Sequence, residues 1–379
     1  MAAGVERAPC LDILLVAPPG LEPVLAEEAR GLGFAPAEPV PGGVRIAGGW
    51  PEVWRANLEL RGATRVLAQV GAFRAMHLAQ LDKRARRFPW GEVLRPDVPV
   101  RVEASSTRSR IYHAGAAAER VARAIREELG APAGDAAGVT AAVTVRVRLD
   151  DDLCAVSVDT SGEPLHKRGH KLAVGKAPMR ETLAALFLRQ CGYGGTEPVV
   201  DPMCGSGTFV IEAAEIAHGL LPGRSRRFAF EDLASFDPAA WARLRDRPRP
   251  PAPPLRFLGC DRDAGAIRMA EANAGRAGVG EVIEFRRQAI SELVAPEGPP
   301  GLVMVNPPYG GRIGERELLR GLYGTLGKVL RAGFSGWRVG IVTSEPALAR
   351  ATGLPFPPPP APVPHGGLRV VLYRTGPLA

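Results

Sequence analysis

The feature that most restricts the fold of this 379-residue chain is a change of hydrophobic pattern near Pro198. From there on, short apolar segments alternate with longer segments of helical period; the short segments include PVVDPM, LRFLGCD, IEFRRQ, GLVMVNPP and WRVGIVTS. Continuously apolar strands separated by helices are typical of parallel sheets that are covered on both faces. The pattern predicts a doubly wound, mostly parallel α/β sheet of Rossmann-like type, and the final run, GGLRVVLYR, predicts an antiparallel edge strand.

The N-terminal half has a different pattern. Strand-like and helix-like segments follow one another from LDILLVA to RVLAQVGAFRA, which predicts a small sheet with helices on one face. Residues 116–128 have a strongly amphipathic helical pattern, and apolar residues alternate from Val143 to Leu149 before an acidic turn at Asp150. That alternation predicts a β-hairpin with one face in water. An α+β region is therefore expected ahead of the parallel sheet.

Composition excludes several classes of protein. Hydrophobic residues make up 46% of the chain and charged residues 23%, which are globular proportions. The sequence contains no run of 18 uncharged apolar residues, the length needed for a membrane-spanning helix. The first residues lack the basic region and cleavage site of a signal peptide, so we expect a cytoplasmic protein. The five cysteines have no CxxC spacing, and we expect small buried side chains rather than disulfides or a metal site.

A glycine turn follows the first strand of the parallel sheet. Gly205-Ser206-Gly207 comes shortly after the strand end at Asp201 and opens into a helix. Glycines let a ligand approach the backbone, and the start of a helix offers free N–H groups, although the third glycine of a dinucleotide site is missing. Asp261 ends the next strand, where a carboxylate can accept hydrogen bonds from a ribose diol or cap the following helix.

The sequence Asn306-Pro307-Pro308-Tyr309 follows another apolar strand and has the clearest chemical meaning. Consecutive prolines fix the backbone and remove two N–H donors, so the Pro307 carbonyl can point outward as a rigid acceptor. Asn306 adds a side-chain oxygen, and Tyr309 adds a flat aromatic face. Two acceptors beside a stacking ring suit the exocyclic amino group of a planar base. The motif therefore predicts a site that holds a base by its amine, rather than a simple proline turn.

Together these segments carry a resemblance to a known family. DPMCGSGT, CDRD and NPPYG resemble motifs of class I S-adenosylmethionine-dependent methyltransferases that act on amino groups, and VRVEASSTRSRIYHAGAAAERVARAI resembles a THUMP domain, an RNA-binding module. With LHKRGHK and KAPMRETLAALFL, the chain from Leu14 to Arg374 is similar to THUMP-containing bacterial RNA guanine-N2 methyltransferases. Within that family it is most similar to the half of the large-subunit rRNA enzymes that forms N2-methylguanosine.

The resemblance implies a seven-stranded class I methyltransferase domain with S-adenosyl-L-methionine as its cofactor and structured RNA, rRNA above all, as its partner. The expected organisation is a ferredoxin-like region at 1–60, a THUMP domain at 61–160, a basic linker at 161–180 and the methyltransferase domain at 181–379. The related bifunctional enzymes continue into a second methyltransferase domain, which this sequence does not include. The resemblance therefore implies a single methylation for this sequence.

The resemblance also assigns roles to individual residues. The cofactor is expected to contact Pro178, Met179, Asp201, Pro202, Cys204, Gly205, Ser206, Gly207, Thr208, Asp261 and Arg262. Asn306, Pro307 and Tyr309 are expected to orient the target base, with Asn306 also beside the cofactor. One position departs from the family: Ala289 stands where an acid normally contacts the adenine amino group, and Gln288 or a backbone acceptor is expected to replace it.

Basic residues exceed acidic ones, 48 against 40, which leaves a formal net charge of +8. Runs of charge are commonly only solvated surface, but several of these fall in the half that resembles an RNA-binding module. The residues expected to contact RNA are Arg108, Ser109, Arg110, Tyr112, His113, Lys167, Arg168 and Lys171. Phosphate contacts of this kind predict binding that weakens steeply as salt is added.

Three other interpretations stay open at the level of sequence. The acceptor could be a guanosine of tRNA, because tRNA enzymes share this domain order, or the N6 amine of adenine, which the same motif could hold. The chain could also be an RNA-binding or assembly protein with a decayed cofactor site, and Ala289 is the feature in favour of that. A NAD-dependent dehydrogenase is a poor fit, because the third glycine is absent.

Overall fold

The computed structural model describes five ranges of the chain: residues 10–134, 142–172, 179–246, 253–310 and 316–379. They divide into two compact units. The N-terminal unit takes its described residues from Met1–Ala17, Ala26–Leu165 and Arg226–Arg247. The C-terminal unit takes its described residues from Pro18–Leu25, His166–Ser225 and Pro248–Ala379.

The first seven strands form a single sheet in the order β2-β3-β1-β4-β7-β6-β5. These strands are β1 (Leu11–Val16), β2 (Ala37–Val40), β3 (Gly43–Gly48), β4 (Arg65–Arg74), β5 (Val100–Thr107), β6 (Val143–Asp150) and β7 (Leu153–Asp159). The helices along this part of the chain are α1 (Glu22–Gly31), α2 (Trp50–Glu59), α3 (Leu78–Arg86) and α4 (Ala114–Leu129). Only β5 and β6 pair in parallel among the described strands of this sheet. The boundary expected at residue 60 therefore falls within one continuous sheet.

The expected hairpin at residues 143–159 is present as β6 and β7. Alternate residues of β6 are buried, from Val143 to Leu149, because successive side chains of a strand point to opposite faces. Asp151 and Asp152 form the two-residue turn with φ angles of 51° and 59°. A turn with two positive φ angles matches the twist of the paired strands, and aspartate tolerates that conformation better than most residues.

The C-terminal unit has the predicted doubly wound sheet, with strand order β10-β9-β8-β11-β12-β14-β13. Its strands are β8 (Val199–Asp201), β9 (Phe257–Asp261), β10 (Ile283–Arg287), β11 (Leu302–Val305), β12 (Arg338–Thr343), β13 (Val363–His365) and β14 (Leu368–Arg374). Its helices are α5 (Glu181–Gln190), α6 (Thr208–Ala217), α8 (Ala264–Ala277), α9 (Arg316–Gly333) and α10 (Pro346–Ala351). The first five strands in this order, β10, β9, β8, β11 and β12, pair in parallel with their neighbours, and β14 is antiparallel to β12. The predicted seven-stranded class I fold is confirmed, and β14 is antiparallel as expected. It is not the edge strand, however, because β13 pairs with its outer side.

A segment that interrupts the alternation of strands and helices in the second half of the chain, residues 226–246, belongs to the N-terminal unit. Its helix α7 (Pro238–Arg245) begins with Asp237 as N-cap, and the Trp241 ring on α7 meets the Phe230 ring edge-on at 5.0 Å. The Phe230 N–H donates to the Thr160 carbonyl at 3.0 Å, at the end of β7. These contacts join α7 and Phe230 to the end of β7.

Within the described ranges, every helix is too short or too polar to traverse a lipid bilayer. The five cysteines are all unpaired; four are buried as expected, whereas Cys10, just before β1, is exposed. No group of three or more potential metal ligands occurs among the described residues.

Candidate active site

The site lies where the winding direction of the C-terminal sheet reverses. From β8 the chain proceeds outward through β9 and β10, then crosses back to β11 on the other side of β8. Leu302 and Val303 of β11 pair in parallel with Val199 and Val200 of β8, so both strands end at the same edge. Open α/β sheets bind ligands at this switch point, beyond the carboxyl ends of the strands. The fold thereby brings the glycine turn and the Asn306 loop together.

The two glycines of the turn have different structural roles. Both have positive φ angles, 53° at Gly205 and 85° at Gly207. A Cβ atom at Gly207 would lie 3.0 Å from the Ile211 side chain and 3.1 Å from that of Ala270, so this glycine permits close helix packing. A Cβ atom at Gly205 would have no neighbour within 4 Å. Gly205 therefore borders open space, which is where a ligand could approach the backbone.

Asp261, at the end of β9, is joined to this turn. One carboxylate oxygen accepts the Gly205 N–H at 3.1 Å, and the other accepts the Asp263 N–H at 2.9 Å. Asp263, not Asp261, caps the following helix α8, because its carboxylate accepts the Gly265 N–H. Arg262 beside it is exposed. The capping role considered for Asp261 is thus filled by its neighbour, which leaves Asp261 available at the turn.

Asp201 is a buried carboxyl at the end of β8. Its Oδ1 accepts the Met203 N–H at 3.1 Å, and no described cation forms an ion pair with it. Burial raises the pKa of Asp201 well above its usual value, and the nearby Asp261 carboxylate raises it further. Pro202 and Cys204 next to it are buried, and burial also raises the pKa of the Cys204 thiol. A carboxyl held in this way would be stabilised by an incoming cation.

The segment after β10 lacks an acid at the expected position. Ala289 is exposed, and its N–H lies 3.4 Å from the Glu292 carboxylate. The Gln288 side chain accepts from the Cys260 thiol at 3.4 Å and donates to the Glu292 carbonyl at 2.5 Å. Since Gln288 is engaged in this way, the carboxylate that lies beside the expected position is that of Glu292.

The Asn306 loop presents an unused acceptor. Asn306 Oδ1 is buried and has no hydrogen-bond partner within the described part of the chain. By contrast, the Pro308 carbonyl lies 3.4 Å from the hydroxyl of the buried Tyr323, which can donate to it. Tyr309 is partly buried, and burial raises the pKa of its hydroxyl. Buried polar atoms are nearly always hydrogen-bonded in native proteins, so the unpartnered Asn306 Oδ1 at a strand end points to a ligand.

The basic segment after β7 is largely internal. The Lys171 side chain is 8% exposed; its ammonium pairs with Glu181 at 3.1 Å and donates to Thr208 Oγ1 at 2.8 Å and the Met179 carbonyl at 3.0 Å. Arg168 is buried and pairs with Glu212 on α6 at 3.2 Å. These contacts correct the expectation that both side chains face RNA. Lys167 is exposed, and Pro178 lies outside the described residues.

The other candidate RNA contacts gather at one end of the N-terminal sheet. Arg108 and Arg110 are exposed, each paired with an acid of the β6–β7 turn, and Tyr112 is 86% exposed. The Ser109 hydroxyl donates to the Thr107 carbonyl at 3.0 Å. His113 caps α4, because its Nδ1 accepts the Ala116 N–H at 3.0 Å. The cluster thus combines loosely held cations with an exposed aromatic ring.

Sequence reasoning missed a layer of buried polar residues behind the glycine turn. Asn273 on α8 donates to the Ser206 carbonyl at 3.1 Å, and Arg276 bonds both to Asn273 and to the His170 carbonyl. Glu215 on α6 is buried and pairs with Arg224 at 2.5 Å. The two glutamates in the otherwise apolar helix TFVIEAAEIA could have indicated this layer, because a buried carboxylate needs a polar or charged partner.

Comparison with known proteins agrees with this geometry. The model of an RMKL-like methyltransferase domain matches residues 168–355, and that of an RlmL ferredoxin-like domain matches residues 12–67. The chain is 35% identical over 360 residues to a ribosomal RNA large subunit methyltransferase K/L from Methylococcus capsulatus, with 90% of this chain and 48% of that protein covered. It spans about half the length of the curated relatives it matches.

Two solved structures are similar over nearly their whole length. A predicted N6-adenine-specific DNA methylase from Listeria monocytogenes is 31% identical, with 97% of each chain covered and a TM-score of 0.85. A methyltransferase complexed with SAH is 26% identical, with 98% of this chain and all of that chain covered and a TM-score of 0.85. The family expected from the sequence motifs is confirmed: this chain belongs to the RMKL-like methyltransferases.

Proposed function

We propose that the chain transfers the methyl group of S-adenosyl-L-methionine to the exocyclic N2 of a guanosine in large-subunit rRNA. The observation that carries this proposal is the buried Asn306 Oδ1, which has no hydrogen-bond partner among the described residues and lies at the switch point of the sheet, next to Pro307. An amino group with two hydrogens could donate one to Asn306 Oδ1 and the other to the Pro307 carbonyl. The names of the curated relatives support rRNA as the substrate class.

The residues of the turn fit this cofactor. Its methionine part ends in an ammonium group, which would neutralise the buried Asp201 carboxyl, for which the described residues supply no cation. Its ribose hydroxyls could donate to the Asp261 carboxylate, and its approach to the backbone would use the open space at Gly205. Lys171 would act as a positioning residue, because it fixes Thr208 and Met179 at the same end. Glu292 would supply the acid that Ala289 lacks.

The cofactor supplies an electrophilic methyl group on a sulfonium. The chain must present a nitrogen to it, and the guanine N2 is a weak nucleophile because its lone pair is delocalised into the ring. Accepting both amino hydrogens, at Asn306 and the Pro307 carbonyl, would favour a pyramidal nitrogen with a localised lone pair. Fixing both reactants in line can lower the barrier by about 7–11 kcal/mol. No strong base is required, since the methylated nitrogen loses its proton readily.

The target base must be unpaired or flipped out of its stack. A paired guanine cannot place its amine between two acceptors at a strand end, and extrusion costs a few kcal/mol. Stacking on the Tyr309 ring would return roughly 1–3 kcal/mol. Tyr309 is partly buried against the hydrophobic core, which would hold the ring in a fixed orientation.

Recognition of the RNA is proposed for the N-terminal unit, with residues 61–160 acting as a THUMP domain beside the ferredoxin-like region. The cluster of Arg108, Arg110 and Tyr112 offers two cations and an exposed ring, a combination that suits phosphate and base contacts. The two arginine side chains are exposed while their carboxylate partners are half-buried, and ion pairs at the surface are weak enough to be exchanged for phosphates. An enzyme with this substrate would act in the cytoplasm.

Product identification tests the proposal. Purified chain is incubated with methyl-labelled S-adenosylmethionine and 23S rRNA, either from a strain that lacks the gene or from its parent, and the RNA is digested to nucleosides. We expect label in N2-methylguanosine with RNA from the deletion strain, and little with parental RNA, whose site is already methylated. Label in N6-methyladenosine, or transfer to tRNA alone, would replace the acceptor proposed here. The absence of both transfer and cofactor binding would contradict the enzymatic function.

A further inference from the structure

The last two strands of the C-terminal unit form a hairpin that borders the substrate loop. β13 and β14 pair antiparallel, with His365 opposite Leu368 across a two-glycine turn at 366–367. A Cβ atom added to Gly310 would lie 3.9 Å from Leu368 Cδ1, and Leu368 is 50% exposed. Gly310 directly follows Tyr309. The turn end of the hairpin is therefore adjacent to the loop that presents Asn306.

His365 carries a buried ring nitrogen with no protein partner. The residue is 7% exposed, and its Nδ1 has no hydrogen bond within the described chain. Val363, two residues earlier, is buried on the same face of β13, whereas Pro364 between them is exposed. A polar atom on the buried face of a strand is normally hydrogen-bonded, so this nitrogen, like Asn306 Oδ1, lacks a partner that a ligand could provide.

The charges that act on His365 come from the cofactor side of the site. Burial lowers the pKa of His365, and repulsion from Arg180 and Lys171 lowers it further, so the ring is neutral at physiological pH. The Lys171 ammonium is 2.8 Å from Thr208 Oγ1, the first residue of α6 after the glycine turn. Leu368, directly opposite His365, is close to the substrate loop, so His365 lies at the same end of the hairpin as that loop. A neutral imidazole offers one nitrogen lone pair as a hydrogen-bond acceptor.

We propose that His365 is a specificity-determining residue that accepts the N1–H of the target guanine beside the amino group held by Asn306. This inference rests on the proposed function. Guanine carries a proton on N1 next to its 2-amino group, whereas adenine has a bare N1 and no 2-amino group. An acceptor at this point completes a row of acceptors, Asn306 Oδ1, the Pro307 carbonyl and His365 Nδ1, which matches the row of donors on the guanine edge. Leu368 would contact the face or edge of the base from the hairpin turn.

The test uses a short RNA that contains the mapped target guanosine and a second RNA with 2-aminopurine at that position. 2-Aminopurine keeps the 2-amino group but lacks the N1 proton and the O6 atom. Methyl transfer by the wild-type chain is expected to favour guanosine by on the order of 100-fold or more in kcat/KM, because a site built for a hydrogen bond rejects an analogue that lacks it. In His365→Leu, kcat/KM for guanosine should fall about 10- to 100-fold, while that for 2-aminopurine stays the same.

Control variants distinguish a failure of this inference from a failure of the proposed methyl transfer. His218→Leu is the matched variant, because His218 also has a buried, unpartnered ring nitrogen but lies at the far end of α6. His365→Gln keeps a side-chain acceptor and should retain part of the guanosine preference, so it serves if the leucine variant fails to fold. An unchanged preference in both His365 variants would overturn the inference. A wild-type chain that forms no N2-methyl product would instead overturn the proposed function, and this inference with it.

Discussion

Gly205→Ala should separate ligand binding from folding. At Gly205 the φ angle is 53° and an added Cβ meets no atom within 4 Å, so the substitution adds backbone strain without a clash. An L-residue in that conformation costs about 1–2 kcal/mol. The methyl group would, however, occupy the space through which the cofactor approaches. One extra methyl in a packed contact costs about 1–3 kcal/mol, which is a loss of affinity of about 5- to 150-fold.

Gly278→Ala is the matched control. Gly278 ends α8 with a φ angle of 76°, its added Cβ also meets nothing within 4 Å, and it lies at the end of α8 away from Asp261. Thermal unfolding should show similar losses for both variants, roughly 2–4 °C for each kcal/mol. Calorimetric titration with S-adenosylhomocysteine should show weakened binding only for Gly205→Ala. Unchanged affinity in that variant would refute the placement of the cofactor at this turn.

Three further predictions concern charge. Lys171→Met leaves the Glu181 carboxylate buried without its ammonium, and urea unfolding should show a loss of about 3–5 kcal/mol; wild-type stability would show that the pair contributes nothing. The raised pKa of Asp201 means that the folded state holds its proton more tightly than the unfolded state. The contribution of Asp201 to stability therefore falls as pH rises above 3.8, the ordinary value, and Asp201→Asn should stabilise the ligand-free chain at pH 7 but not near pH 4; equal stability at pH 7 would contradict this. Arg108→Glu combined with Arg110→Glu should weaken RNA binding and reduce the slope of log affinity against log salt by about 2, and an unaltered slope in a filter-binding titration would exclude phosphate contacts there.

Much of the C-terminal fold could be predicted because its signals are local. The apolar run from Leu302 to Val305 is buried at every residue, as a central parallel strand requires, and the polar residue that follows must lie at the strand end. That reasoning located Asn306 at the edge of the sheet. The neighbouring position of Asp261 at the glycine turn likewise followed from strand order alone.

The parts that sequence could not supply depend on pairing between distant residues. LHKRGHK has the composition of a solvated basic segment, yet Arg168 is buried because Glu212, 44 residues later, lies opposite it on α6. His365 gave no signal, because a single histidine beside a proline-rich loop has no period. The short strand β2 was missed for a similar reason, since its sequence AEPV contains a proline and a glutamate and is paired only on one side.

The central claim is that Asn306 holds the amine that accepts the methyl group. Its most direct test is the single-turnover rate of Asn306→Ala, compared with that of Gln190→Ala. Gln190 Oε1 is also buried and has no hydrogen-bond partner among the described residues, but it lies at the end of α5. Removing one preorganised hydrogen-bonding group from a site typically lowers the rate by on the order of 10²–10³-fold. We predict a loss of that size for Asn306→Ala with cofactor binding retained, and a wild-type rate for Gln190→Ala. A wild-type rate in Asn306→Ala would contradict the account.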